Sequence, residues 1–191
     1  FDVVLHFATL CAIVYYYRLT LVEMSKDFAC SIVTRKMQGQ SMLAWAVLLG
    51  TIPVGLTGLF FKDSIELNLR SYEVVAFATI FFGFLLGFSD WIHRFLGRSR
   101  EFIRSSDILI VGLFQALALI PGTSRSGITI TAALLIGLSR SLSIKFAFLL
   151  SIPVIALATL LKTFDLVNEV NQVDWSLLLI GFVIALITAY T

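Results

Sequence analysis

Apolar residues run through this chain in long blocks separated by short polar connections, and the block lengths are those of membrane-crossing helices. A straight helix needs about 20 apolar residues to cross a hydrocarbon core of roughly 30 Å, with a working range near 17 to 25. Five stretches meet or approach that length and predict spans over 2–17, 42–61, 73–88, 142–161 and 175–191. Tyr15, Tyr16 and Tyr17 followed by Arg18, and Trp175 opening the last block, are side chains of the kind that anchor at a membrane interface. Pro53 and Pro153 fall inside two spans, where a proline kinks the helix and frees a carbonyl for a neighbour to satisfy. Gly83 and Gly87 make a G-x-x-x-G step on the third span, which predicts close helix packing.

The stretch 108–138 breaks this pattern. Ile108 to Ile120 is apolar but only about 20 Å long as a helix, and it runs into Pro121-Gly122-Thr123-Ser124-Arg125-Ser126-Gly127 before apolar character resumes at Ile128. Each arm is too short to cross alone. Two half-length helices around a polar Pro-Gly break predict a re-entrant hairpin, and a non-helical break at that depth has to line protein or a water-filled cavity.

The charges in the connections fit that topology. Arg18, Lys26, Arg35 and Lys36 lie in 18–41, Lys62 and Arg70 lie beside Asp63, Glu66 and Glu73 in 62–73, and Arg94, Arg98, Arg100 and Arg104 lie in 89–107. A re-entrant 108–138 returns Arg140 and Lys145 to the side of the other basic loops, with the acidic 162–174 connection opposite; the basic side is then cytoplasmic. For residues 19–33 two readings fit, an amphipathic helix on that surface and a plain solvated loop.

Composition narrows the class. With 59% hydrophobic and 14% charged residues the chain lacks the roughly one-quarter charged content of soluble domains, and its mean hydropathy is +0.96. The net charge of +2, with no basic patch interleaved with aromatics, excludes nucleic acid as a partner. Cys11 and Cys30 form no metal-ligand spacing and read as packing residues. The chain opens on Phe1 with no Met or charged leader, and its last apolar block stops at Thr191 without a flanking charge, so further sequence is expected at both ends.

The candidate chemistry sits in the break. An arginine at mid-membrane depth is expensive unless paired or wetted, which makes Arg125 a functional candidate. Gly122 and Gly127 let the backbone approach a ligand, Thr123, Ser124, Ser126 and Thr129 supply hydroxyls, and a helix starting near Ile128 aims its free N–H groups at the loop. A guanidinium fork beside hydroxyls and a helix N-terminus suits a phosphate group. The plainer alternatives are a cytoplasmic turn with Arg125 snorkelling to water, and Ser126 acting only as an N-cap. Gln115 either faces the same cavity or bonds a neighbouring helix. His6 reads as a packing or interface residue, and Asp90, His93 and Arg94 as a solvated loop.

The run from Gly112 to Thr129 resembles the second signature of the undecaprenyl-diphosphate phosphatases associated with bacitracin resistance, whose core P-G-x-S-R-S-x-x-T matches Pro121, Gly122, Ser124, Arg125, Ser126 and Thr129. The likeness continues through Gly137-Leu138-Ser139-Arg140 and Phe146 to Pro153, with Ala147 where the family usually has Ser, and through Phe1 to Ala12 with His6. The resemblance implies an all-α, polytopic membrane helix bundle of two inverted repeats, each a re-entrant hairpin followed by three spans, with the first hairpin and the last span lying outside this chain. It implies dephosphorylation of undecaprenyl diphosphate in the bacterial plasma membrane, with Arg125, Ser124 and Thr129 as catalytic groups. Gly122, Thr123, Ser126, Gly127 and Gln115 would be the substrate contacts. It also implies a divalent cation, Mg²⁺, held by residues upstream of Phe1, and it admits a homodimer. On this reading the fragment alone is inactive. A transporter or flippase of a phosphorylated isoprenoid lipid is the competing function, because broken helices inside inverted repeats describe such carriers equally well.

Overall fold

The computed structural model describes residues 2–97, 99–168 and 175–190, and these form helices α1 (Asp2–Tyr16), α2 (Arg18–Thr34), α3 (Ser41–Asn68), α4 (Tyr72–Leu96), α5 (Ser105–Ala116), α6 (Arg125–Leu135), α7 (Arg140–Asn168) and α8 (Trp175–Tyr190). A single 3-10 turn, Leu117–Leu119, follows α5. Arg98, the acidic side chains of the 162–174 connection and the Trp175 ring lie outside the described residues.

Among the described residues three helices are long and apolar enough to cross a bilayer unaided, over Ser41–Phe61, Tyr72–Leu96 and Arg140–Leu161. Pro53 and Pro153 both lie inside continuous helices. Helices α1 and α8 run side by side in the same direction, Phe7 stacking on Phe182 at 5.9 Å and Tyr15 meeting Tyr190 at 5.3 Å. With 15 and 16 residues they are shorter than the three long spans. Of the two readings for 19–33, the helix is the one found: α2 continues the chain from α1 after a 75° bend at Tyr17.

Helix α4 extends eight residues past the expected end at Phe88, because its polar tail is paired rather than solvated: Asp90 accepts from Arg140 Nε at 2.7 Å and pairs with Arg94 one turn later at 2.9 Å. His93 is buried on the same turn, so the loop expected at Asp90, His93 and Arg94 is corrected to helix. The close packing expected at Gly83 and Gly87 is also corrected, since a methyl added at either would meet nothing within 4 Å. Cys30 is exposed and packs no core.

The core lies where α3, α5, α6 and α7 converge, around Leu43, Val47, Val111, Ala132, Phe146 and Leu150. Helix α5 approaches α3 so closely at Gly112 that a Cβ there would stand 2.9 Å from the Gly50 carbonyl oxygen and 3.1 Å from Pro53 Cγ. That contact fixes the arm of the hairpin against a helix long enough to span the membrane.

The two ends of the hairpin segment meet. The Arg100 N–H donates to Gly137 O at 3.0 Å, and the Ser139 N–H donates to Arg100 O at 2.9 Å. The Arg100 guanidinium grips Asp107 with both nitrogens, at 2.6 and 3.2 Å, and donates to Ile136 O at 3.2 Å. Asp107 also accepts from the Arg104 N–H at 2.7 Å, which caps α5. A buried carboxylate is tolerated because it accepts from three donors, one guanidinium supplying two of them. The segment therefore leaves and re-enters the bundle at one place, as a re-entrant element must.

Candidate functional site

The tip of the hairpin is a loop between two short helices. After Leu119 the backbone turns extended at Ile120, and Gly122 adopts φ +93°, a left-handed conformation that favours glycine. The reason is spatial as well as torsional: a Cβ at Gly122 would run into the Val75 carbonyl oxygen and stand 2.9 Å from Thr79 Oγ1. The Thr79 hydroxyl, which lies 2.8 Å from Val75 O within α4, shares its proton with Gly122 O at 3.1 Å and so ties the loop to α4. Val75 and Thr79 sit one to two turns from the start of α4, about 5 to 10 Å along its axis. The tip thus docks on the first two turns of α4.

Ser124 is the N-cap of α6. Its backbone is extended (φ −69°, ψ 120°), its Oγ accepts from the Gly127 N–H at 3.2 Å, and its carbonyl accepts from Ile128 N–H at 2.9 Å. The helix thus begins at Arg125, earlier than the Ile128 expected, and the cap is Ser124 rather than Ser126. Arg125 and Ser126 then hold the first two helical positions, whose N–H groups have no intrahelical acceptor. Gly127 is tight for its own reason, since an added Cβ would lie 3.1 Å from Ser124 Cβ.

The Arg125 side chain is half-buried, and its guanidinium makes no hydrogen bond or ion pair among the described residues, whereas Arg100 and Arg140 are each held by an aspartate. Ser124 and Ser126 flank it in the sequence, and their hydroxyls lie 3.5 Å apart. Thr123 Oγ1 is buried without a partner among the described residues. A guanidinium fork, two hydroxyls and a helix N-terminus within one short segment are donors suited to an anion with several oxygens.

Thr129 is placed otherwise. It is buried, and its hydroxyl donates to Arg125 O at 2.9 Å and Ser126 O at 3.0 Å, within the first turn of α6. Gln115 is 0% exposed, and neither its Oε1 nor its Nε2 has a partner among the described residues, so it does not bond a neighbouring helix there. His6 is exposed on α1, outside the hairpin.

Comparison with known proteins bears on this geometry. The whole chain, residues 1–191, matches the family described as bacitracin resistance protein BacA. The chain belongs to that family. Undecaprenyl-diphosphatase of Vesicomyosocius okutanii is 52% identical over 190 residues, covering 100% of this chain and 72% of that protein. The undecaprenyl-diphosphatase of Ruthia magnifica is 54% identical over 190 residues, covering 100% of this chain and 71% of that protein. That of Nitrosococcus oceani is 49% identical, again with 100% of this chain and 71% of the relative.

In this BacA-family chain two features of the hairpin escape a reading by residue type. The Arg100–Asp107 clamp joins a loop to a helix start, and only the capping-box position of Asp107, three residues after Arg104, hints at it. The docking of Gly122 on Val75 and Thr79 joins residues more than forty positions apart, and nothing in the local sequence of α4 marks it.

Proposed function

We propose that this chain acts as an undecaprenyl-diphosphatase, releasing the terminal phosphate of undecaprenyl diphosphate and returning the monophosphate lipid that carries cell-wall precursors. The observation that carries the reading is identity of about 50% over the whole chain to proteins of that name. Arg125, at the first position of α6 and with no side-chain partner among the described residues, supports it. In the reaction the anhydride P–O bond to the terminal phosphorus breaks, a water-derived oxygen is added, and negative charge spreads over the transferred phosphoryl oxygens. Arg125 neutralises that charge, while the Ser124 and Ser126 hydroxyls and the N–H groups of Arg125 and Ser126 fix the oxygens in place. Gly122, Thr123 and Gly127 shape the loop around them. Thr129 stiffens the first turn from inside rather than touching the substrate.

A divalent cation such as Mg²⁺ is expected from the family resemblance. The groups at the hairpin tip are hydroxyls, amides and a guanidinium, and no group of three or more His, Cys, Asp or Glu able to hold a metal occurs among the described residues. These groups do not fit the ion. The reading places the chain in the bacterial plasma membrane with its basic loops in the cytoplasm.

The test is Arg125→Lys in the full-length gene product, assayed as phosphate release from undecaprenyl diphosphate. Lysine keeps the charge but not the planar fork, and loss of a preorganised donor set lowers kcat by about 10²-fold or more. Undiminished release by Arg125→Lys would remove Arg125 from the mechanism. Tight lipid binding with no release at all by the wild-type protein would favour a carrier of the same lipid.

A further inference from the structure

Helix α2 has one partnered face and one that meets no partner among the described residues. On the inner face Met24 and Ser31 are buried, the Phe28 ring lies 4.9 Å from Trp45, Trp45 Nε1 donates to Ser31 Oγ at 3.1 Å, and Asp27 accepts from the Gln40 N–H at 2.7 Å. The opposite stripe, at helical spacing, carries Leu19, Val22, Lys26, Cys30 and Val33. Leu19 is 72% exposed and Val33 83%, with Val22 at 51%. Lys26 sits at the centre of that stripe, Arg18 opens the helix, and Arg35 and Lys36 follow its end, all four exposed. Glu23 is the acid on that face; Asp27 is turned to the inner side.

The position of α2 adds a second, independent observation. The helix leaves α1 at 75°, and the bend falls where aromatic rings gather: Tyr15 and Tyr16 are exposed, Tyr190 lies 5.3 Å from Tyr15, and the Arg18 guanidinium lies 4.3 Å above the Tyr15 ring. Tyr and Arg side chains at the ends of two parallel apolar helices mark the membrane–water boundary. A helix turned across that boundary, with aliphatic side chains and cations on one outer face, is built to lie in it.

We propose that the outer face of α2 binds the anionic lipid layer of the membrane. Leu19, Val22 and Val33 enter the edge of the acyl region, and Arg18, Lys26, Arg35 and Lys36 pair with lipid phosphates. Water is a poor occupant, since it would leave three aliphatic side chains uncovered in one stripe. A zwitterionic leaflet would leave the cationic excess unanswered.

The experiment uses the native thiol at Cys30, within the stripe, in the full-length protein carrying Cys11→Ala and any thiols outside this chain replaced. An environment-sensitive fluorophore on Cys30 is compared in vesicles of phosphatidylcholine and of phosphatidylcholine with phosphatidylglycerol. The expected result in the phosphatidylglycerol vesicles is blue-shifted emission, quenching by spin-labelled lipid, and iodide quenching reduced about threefold or more. High salt should erase the difference between the two lipids, as should the triple variant Lys26→Gln, Arg35→Gln, Lys36→Gln. The salt titration on the unaltered charges decides the matter if the triple variant fails to fold. Equal iodide access in both vesicles overturns the proposal, and so does a label shielded from both iodide and lipid quencher, which would mean that a second protein copy covers the face.

Discussion

Gly122→Ala tests whether the loop at the hairpin tip is held in place by its contact with α4. At φ +93° an L-residue carries a backbone strain of about 1–2 kcal/mol. The new methyl would also meet the Val75 carbonyl, with Thr79 Oγ1 at 2.9 Å and Val75 Cα at 3.0 Å, where ordinary contact begins at 3.4 Å. The loop must therefore retreat by at least about half an ångström from Thr79 and farther from the carbonyl. Retreat breaks the Thr79–Gly122 hydrogen bond, worth about 0.5–1.5 kcal/mol. Arg125 lies three residues on, at the start of a helix whose cap belongs to the same loop, so the guanidinium moves with it. A displacement on the order of 1 Å in a positioning group lowers rate by about 10²-fold. Phosphate release by the full-length Gly122→Ala protein should accordingly fall by about 10²-fold in kcat/KM, while thermal unfolding shifts by only several degrees. Gly87→Ala is the control, because nothing lies within 4 Å of its added methyl and its activity should be unchanged. A Gly122→Ala enzyme within about twofold of wild type would show that the α4 contact does not position the loop.

Thr129→Val keeps the shape and removes the two bonds to Arg125 O and Ser126 O, so kcat/KM measured on the same substrate should fall less than about tenfold; a much larger loss would return Thr129 to direct substrate contact. Asp107→Asn leaves the Arg100 guanidinium partly buried without its counter-charge, and the expected loss of stability, about 3–5 kcal/mol, is readable as a large drop in Tm in detergent; a Tm unchanged within a degree would show that the hairpin base is held by its backbone bonds alone.

Much of the hairpin was legible because its signal is local. A Pro-Gly break, a serine cap and a lone arginine between two apolar arms are read within one window, and the structure finds each in the expected segment. The helix start shifted from Ile128 to Arg125 because Ser124, not Ser126, has the extended backbone a cap requires. Thr129 looked like a ligand group because residue type does not reveal which way a hydroxyl donates; its place one turn after Arg125 turns it to the helix carbonyl. Helix α4 runs past Phe88 because Asp90, which looks like a terminus by residue type, pairs with Arg140 fifty residues away. Helix α2 was ambiguous because apolar residues occupy both its faces, so periodicity alone did not separate a helix from a loop.

The joined ends of the hairpin bear on how such a protein is remodelled over evolutionary time. Because the backbone returns to Arg100 at Ser139, residues added to or removed from either arm leave the sidedness of every later segment as it was. How deep the arginine reaches and how many times the chain threads the bilayer are therefore independent variables, and the first can be tuned without rewriting the second.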